Sequence, residues 1–249
     1  MPSPKPPVAR SIGFILSTAL LNLFPVASAG ATFVERYEGT AKDLDGRLVY
    51  REVHEVTYDS APPSGRVQVA RTRYLNPDGS IRAELDSEFT GPNFLPSYTF
   101  RDHKLGVLEG VKLESGSEKL EVFHQQKRKK IAFRPDWVSG QGFHYFSRAS
   151  LEKIAAGEKR LLEFLIPSRL ENFSFRIRKG EDGPDKRRSG QREIDVVLEV
   201  QNWLLRIFAP KITATYDMDS RRLLRYLGPS NIQTEKGDVQ TVRIDYQYP

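Results

Sequence analysis

Residues 137–169 read WVSGQGFHYFSRASLEKIAAGEKRLLEFLIPSR, and they hold the one convincing helical periodicity in a sequence otherwise written in short strands. From Gly142 onward, Phe143, Phe146, Leu151, Ile154 and Ala155 fall within one half of a helical wheel turned at about 100° per residue, with Ser147 and Ser150 between them. Tyr145, Arg148 and Glu152 occupy the other side. Gly157 stands where a left-handed C-terminal cap belongs, and Glu158-Lys159-Arg160 cannot continue the apolar face. The spacing predicts a helix over residues 141–156.

On either side the period drops to two. Leu48, Tyr50, Glu52, His54 and Val56 alternate with Val49, Arg51, Val53, Glu55 and Thr57, a pattern expected of a sheet with one wet side. Asp43-Leu44-Asp45-Gly46 and Asn76-Pro77-Asp78-Gly79 read as tight reversals, because Asp, Asn and Gly accept the backbone conformations that such turns require. Strands are predicted at 33–41, 47–57, 67–74, 81–85, 97–102, 106–114, 119–125 and 129–134. After the helix they resume at 161–166, 172–178, 191–201, 204–208, 211–217, 221–227, 231–235 and 240–248, with 179–190 as an exposed, mobile, charged loop. Spacings near ten residues with short connections favour an antiparallel meander. The fold class is therefore mainly β (α+β), a curved antiparallel sheet or open β-barrel wrapped around one central amphipathic helix.

The first residues read as an export leader. Lys5 and Arg10 precede a largely apolar run from Ile12 to Val26, and Ala27-Ser28-Ala29 fits the small-x-small cleavage pattern. Residues 1–29 are expected to be removed after Ala29, leaving 30–249 as a single half-barrel domain in the periplasm. The apolar run contains Ser17, Thr18, Asn22 and Pro25 and falls short of the roughly 20 residues that span a bilayer. The leader carries two positive charges and no negative one, so its removal takes the formal net charge from +6 to +4. A balance this mild and dispersed argues against nucleic acid as a partner. The chain has no cysteine, which excludes disulfides, thiolate metal sites, a cysteine nucleophile and an acylated lipoprotein cysteine. About 220 residues can bury a core large enough to dispense with cross-links.

No catalytic signature emerges, and no catalytic residue, metal ligand or cofactor is assigned. His54, His103, His124 and His144 are scattered without ligand spacing. Asp102-His103 lacks a serine elbow, and neighbours on a strand point to opposite faces. Glu84, Asp86 and Glu88 share one strand face, the usual pattern of a solvated exterior. Gly140-Gln141-Gly142 lacks the further glycine of a dinucleotide loop.

Two features carry functional expectations. The basic residues Lys127, Arg128, Lys129 and Lys130, with Lys186, Arg187 and Arg188, read as solvated turns or as contacts to an anionic membrane surface, each basic residue contributing on the order of 1 kcal/mol there. Aromatic residues gather around the helix. They either fill the core between helix and sheet or line an apolar cleft made of Trp137, Phe143, Phe146, Ser147, Ser150, Leu151, Ile154, Phe164 and Trp203, with room for an acyl chain or other hydrophobic ligand. The expected partners are thus a lipid or other apolar ligand, or else an envelope protein docking on a module with a packed interior. The protein is expected to be a monomer.

An exported chain with a long meander, one mid-chain amphipathic helix and further strands resembles the half-barrel superfamily of periplasmic lipoprotein carriers of the LolA and LolB type. More closely, Tyr37-x-Gly39, Gly46-Arg47-Leu48-Val49-Tyr50, Tyr74-x-x-Pro77-Asp78-Gly79, Gly142-Phe143, Phe164-x-x-Pro167-Ser168-Arg169 and Tyr226-x-Gly228-x-Ser230-Asn231-Ile232 resemble an uncharacterised family of exported Gram-negative bacterial proteins. These motifs are turn glycines and aromatic strand positions spread over most of the mature chain. The resemblance implies fold and compartment, and a carrier role only by analogy.

Overall fold

Among the described residues, alternation and turn chemistry translate into fifteen strands and one α-helix: β1 (Phe33–Lys42), β2 (Leu48–Tyr58), β3 (Val67–Leu75), β4 (Ile81–Glu88), β5 (Ser97–Asp102), β6 (Val107–Leu113), β7 (Lys119–His124), β8 (Lys127–Ala132), β9 (Val138–Ser139), α1 (Gly142–Ala155), β10 (Arg160–Ile166), β11 (Glu171–Lys179), β12 (Glu193–Val200), β13 (Ile212–Asp217), β14 (Leu223–Pro229) and β15 (Thr241–Gln247). The structure is a computed structural model describing residues 1, 32–92, 94–114, 116–181, 192–202 and 211–249. The expected leader and its cleavage point, Lys186, Arg187, Arg188, Trp203 and the expected strand 204–208 lie outside the described residues.

All fifteen strands join one curved, unclosed sheet in the order β8-β7-β6-β5-β4-β3-β2-β1-β15-β14-β13-β12-β11-β10-β9. Neighbours pair antiparallel except β9 and β10, which run parallel. Parallel neighbours need a crossover, and α1 supplies it. The expected turns form as read: Gly46 and Gly79 adopt φ of +86° and +87°, the left-handed region that glycine enters without steric cost. Residues 231–235, expected as a strand, form a looped segment instead. Ser230 Oγ accepts from the Ile232 N–H at 2.9 Å and Gln240 Nε2 donates to the Ile232 carbonyl at 2.8 Å, so side chains occupy backbone groups that a ladder would have used.

The helix ends where its sequence signals place it. The Gly157 N–H bonds the Ile154 carbonyl at 2.9 Å and its φ is +92°. Phe146, Leu151 and Ile154 pack against Leu162, Ile177, Ile194 and Leu198 of the β10–β12 side. Complete burial of Leu151 and Ile154 stabilises by roughly 1.5–3 kcal/mol each. Tyr145 and Arg148, read from the wheel as the outward side, are only 9 % and 8 % exposed. The sheet curls past both flanks of the helix, and Tyr145 joins Tyr37, Val56, Tyr58 and Phe89 in a second cluster. A third cluster, built on Leu85, Phe100, Val111, Leu120 and Val122, fills the β4–β7 end away from the helix.

Candidate functional site

Register determines what faces α1. On β2 the inward residues are Tyr50, Glu52, His54, Val56 and Tyr58, so two polar side chains sit on the concave face between tyrosines. Gly39 of β1 pairs with Glu52 on one side and with Tyr246 of β15 on the other. A Cβ on Gly39 would lie 2.9 Å from the Tyr246 ring and from Ile244, so the missing side chain is what lets that ring cross β1. The Tyr246 hydroxyl thereby reaches Glu52 Oε2 at 3.0 Å. One residue pair further along, Tyr37, His54 and Thr72 stand in a row across β1, β2 and β3. Tyr37 stacks on the His54 ring at 4.3 Å and 7°.

These rows make a continuous polar chain on the wall of a cavity. Gln141, at the N-terminus of α1, donates Nε2–H to Thr72 Oγ1 at 2.9 Å, and Thr72 Oγ1 meets His54 Nδ1 at 2.9 Å. His54 Nε2–H then donates to Glu52 Oε2 at 2.9 Å, where the Tyr246 hydroxyl also arrives. Thr72 is 1 % exposed and its oxygen is engaged by Gln141, so its hydroxyl serves to hold the histidine rather than to attack a substrate. Burial first, and the Glu52 charge after it, push the Tyr50 and Tyr246 phenols well above the usual range, and burial followed by the neighbouring Tyr248 does the same to Tyr37, so all three remain protonated.

The cavity itself measures about 310 Å³ and lies between the concave face and the start of α1. Tyr37, Tyr50, Tyr74, Tyr98, Tyr145, Tyr216, Tyr226 and Tyr246 line it together with Phe100, Phe143 and Phe164. Among the described residues, Glu52 and Glu109 are the carboxylates on its wall, and no lysine or arginine lines it. Glu109 is held by His124 Nδ1 at 2.9 Å. At one rim Ser230 meets the Tyr50 hydroxyl at 3.0 Å and Asn231 donates to the Tyr74 hydroxyl at 3.1 Å. His144 faces Tyr216 at 3.2 Å, and burial, followed by the charge of Arg148, holds its imidazole well below the usual histidine range. A second cavity of about 220 Å³ lies on the far side of Tyr145, beside Arg66, Arg148 and Arg221. There Arg148 donates to the Tyr58 hydroxyl at 2.9 Å.

Of the cleft residues expected from sequence, Phe143 and Phe164 line the larger cavity. Phe146, Leu151 and Ile154 lie in the helix–sheet core, and Trp137 lies in the cluster beneath β4–β7. Ser147 and Ser150 are buried on α1 without lining either cavity, and Ser147 Oγ has no hydrogen-bond partner among the described residues. The basic run Lys127–Lys130 forms most of β8, an outer strand of the sheet. Lys130 pairs with Glu114 at 2.9 Å, Arg128 with Glu121 at 3.8 Å and Lys129 with Glu171 at 3.9 Å. Asp102 points inward to a bidentate pair with Arg82 at 3.0 Å, while His103 points outward to Glu84 at 3.1 Å. Among the described residues no cluster of His, Asp and Glu has the arrangement of a metal site.

Glu52, His54, Thr72, Gln141 and the tyrosine walls were not singled out by sequence reasoning. The available signal was the inward register of β2, where a Glu and a His two residues apart sit on the same face as Tyr50, Val56 and Tyr58.

Fold and cavity together define an open antiparallel half-barrel closed over by one helix. No family profile and no curated protein sequence matches the chain. Among solved structures, it is similar to a β-barrel-like protein of domain of unknown function DUF1849 from Brucella abortus, at 10% identity and TM-score 0.43, over 86% of this chain and 95% of that one. It is also similar to a DUF1329 family protein from Desulfovibrio piger, at 11% identity and TM-score 0.28, over 89% of this chain and 85% of that one.

Proposed function

We propose that this protein binds a small, largely apolar ligand, such as a single-chain lipid, in the cavity between the concave sheet and α1, and that it does so in the bacterial periplasm after export. The observation that carries this reading is the space itself. A packed interior would suit a docking module, whereas about 310 Å³ bounded by aromatic rings falls within the range of small-molecule sites, roughly 300–1,000 Å³. On one wall the polar chain from Gln141 through Thr72 and His54 meets the Tyr246 hydroxyl at Glu52, among aromatic rings, which suits a ligand with an apolar body and one polar end. Support for export is the leader pattern of residues 1–29.

Ala214 lies on the cavity wall and is 1 % exposed. Ala214→Phe should fill the space, lowering affinity for a neutral N-phenylnaphthylamine probe at least tenfold while the circular dichroism spectrum is unchanged. Protein that is ligand-free by native mass spectrometry and leaves the probe unbound would overturn the reading.

A further inference from the structure

Resting on that ligand-binding reading, we infer that the ligand's polar end is a cation, an amine or quaternary ammonium group seated against Glu52.

Glu52 is 5 % exposed and lines the cavity. Both of its donors, the His54 ring and the Tyr246 hydroxyl, converge on Oε2. Oε1 receives no hydrogen bond from any described residue and is not sealed from solvent, on a side chain that lines the cavity. A carboxylate withdrawn from water costs several kcal/mol unless a charge or a full set of donors compensates it. Here one oxygen is compensated by the protein and the other is left to whatever enters.

The charges around the space favour one sign. Among the described residues no lysine or arginine lines the cavity; Glu109 is its second carboxylate, already bridged to His124, and Arg148 stands beyond Tyr145 beside the smaller cavity. A carboxylate or phosphate head would meet like charge, with no lysine or arginine among the described lining residues to receive it. The walls agree: Tyr50 and Tyr74 stand edge to face at 5.7 Å, Tyr74 and Phe100 at 6.0 Å, and Tyr246 closes the side opposite Tyr74 across Glu52. Aromatic rings around a carboxylate attract organic cations through their electron-rich faces and tolerate the alkyl groups of a quaternary nitrogen, which a hydrogen-bonding pocket would not.

Three probes with the same chain and different heads separate the possibilities: octyltrimethylammonium, octanoate and octanol, each titrated calorimetrically into the purified protein. The expected result is that octyltrimethylammonium binds at least tenfold tighter than either of the others, and that Glu52→Gln abolishes this preference while retaining octanol binding. Octanoate binding as well as or better than the ammonium probe would overturn the inference, and the wild-type comparison stands even if Glu52→Gln fails to fold. A preference that survives Glu52→Gln would overturn the seat at Glu52. Octanol binding without ammonium preference removes the cation and leaves the ligand-binding reading intact; no binding of any probe removes both.

Discussion

Replacing Asp102 by alanine strips the counter-charge from the buried guanidinium of Arg82. Arg82 and Asp102 are 6 % and 2 % exposed in their side chains and meet through three N–H···O contacts of 3.0–3.1 Å. The carboxylate also accepts the backbone N–H groups of Lys104 and Leu105, each at 2.9 Å. Orphaning a buried partner of an ion pair costs about 3–5 kcal/mol, and the two backbone donors, left to find water, add to it. For a chain of this size 1 kcal/mol moves Tm by about 2–4 °C, so Asp102→Ala should lower Tm by roughly 10 °C. Arg82→Leu combined with Asp102→Leu should recover most of that loss, because it removes both charges at once. Urea unfolding of the single and double variants, followed by circular dichroism, measures the coupling. A single-variant loss below about 1 kcal/mol, or a double variant as unstable as the two losses added, would refute the account. Arg82 also donates to the Gln233 carbonyl at 3.3 Å, next to the segment whose Ser230 and Asn231 rim the cavity. Asp102→Ala should therefore weaken binding of the neutral probe as well, although it touches no ligand.

Gly39→Ala places a methyl group 2.9 Å from the Tyr246 ring, which should cost about 1–3 kcal/mol in urea unfolding and free the Glu52 carboxylate from its tyrosine donor; no loss would mean that the ring crosses β1 with room to spare. His144 gives a pH dependence. Its folded-state pKa is depressed by burial, so below about pH 6.5 the unfolded chain binds a proton that the folded chain does not, and stability, complete above that pH, falls as the pH drops by up to about 1.4 kcal/mol per unit. His144→Phe should flatten the slope of urea midpoints between pH 5 and 7. On β8, the charged side chains of Lys127 and Lys129 guard an outer strand, so replacing both by threonine should produce concentration-dependent self-association in light scattering, whereas a monomer at all concentrations would show that the edge needs no such protection.

The fold was legible because its cues are local. Alternation along residues 48–58, the reversals at Gly46 and Gly79 and the wheel of α1 each depend on a handful of neighbouring residues, and the helix falls within a residue of its expected limits at both ends. The cavity was not legible because its geometry is set by register between remote strands. Nothing near Glu52 in sequence announces that Tyr246, 194 positions later, will reach it over a glycine. Phe143 and Phe146 look alike on a wheel, yet one faces the cavity and the other the core, since the curl of the sheet decides which part of the apolar face meets a neighbour. That curl also buries Tyr145 and Arg148, which no single-helix pattern distinguishes from solvent-facing residues.

Almost every strand lies beside its predecessor in the chain; the seam is β1 against β15, where the first and last strands meet in the middle of the sheet. Two arms grow outward from that seam and finish at β8 and β9, which follow one another in sequence and yet stand at opposite borders. Gln247 sits across from Glu38, midway along β1, and the two strands are antiparallel, so β15 runs out toward the end of the sheet from which β1 begins. A permuted chain that opened between β8 and β9 and bridged β15 to β1 with a short turn would lay its strands side by side in unbroken order from one border to the other, antiparallel throughout except at the α1 crossover between β9 and β10. The native order instead makes one pairing wait on the largest loop in the molecule, the slow kind of contact whose closing entropy is met before any reward arrives. Seen this way, the row that places Tyr246 over Gly39 and onto Glu52 is the clasp of the molecule, and its ligand wall is assembled only when the two arms are joined.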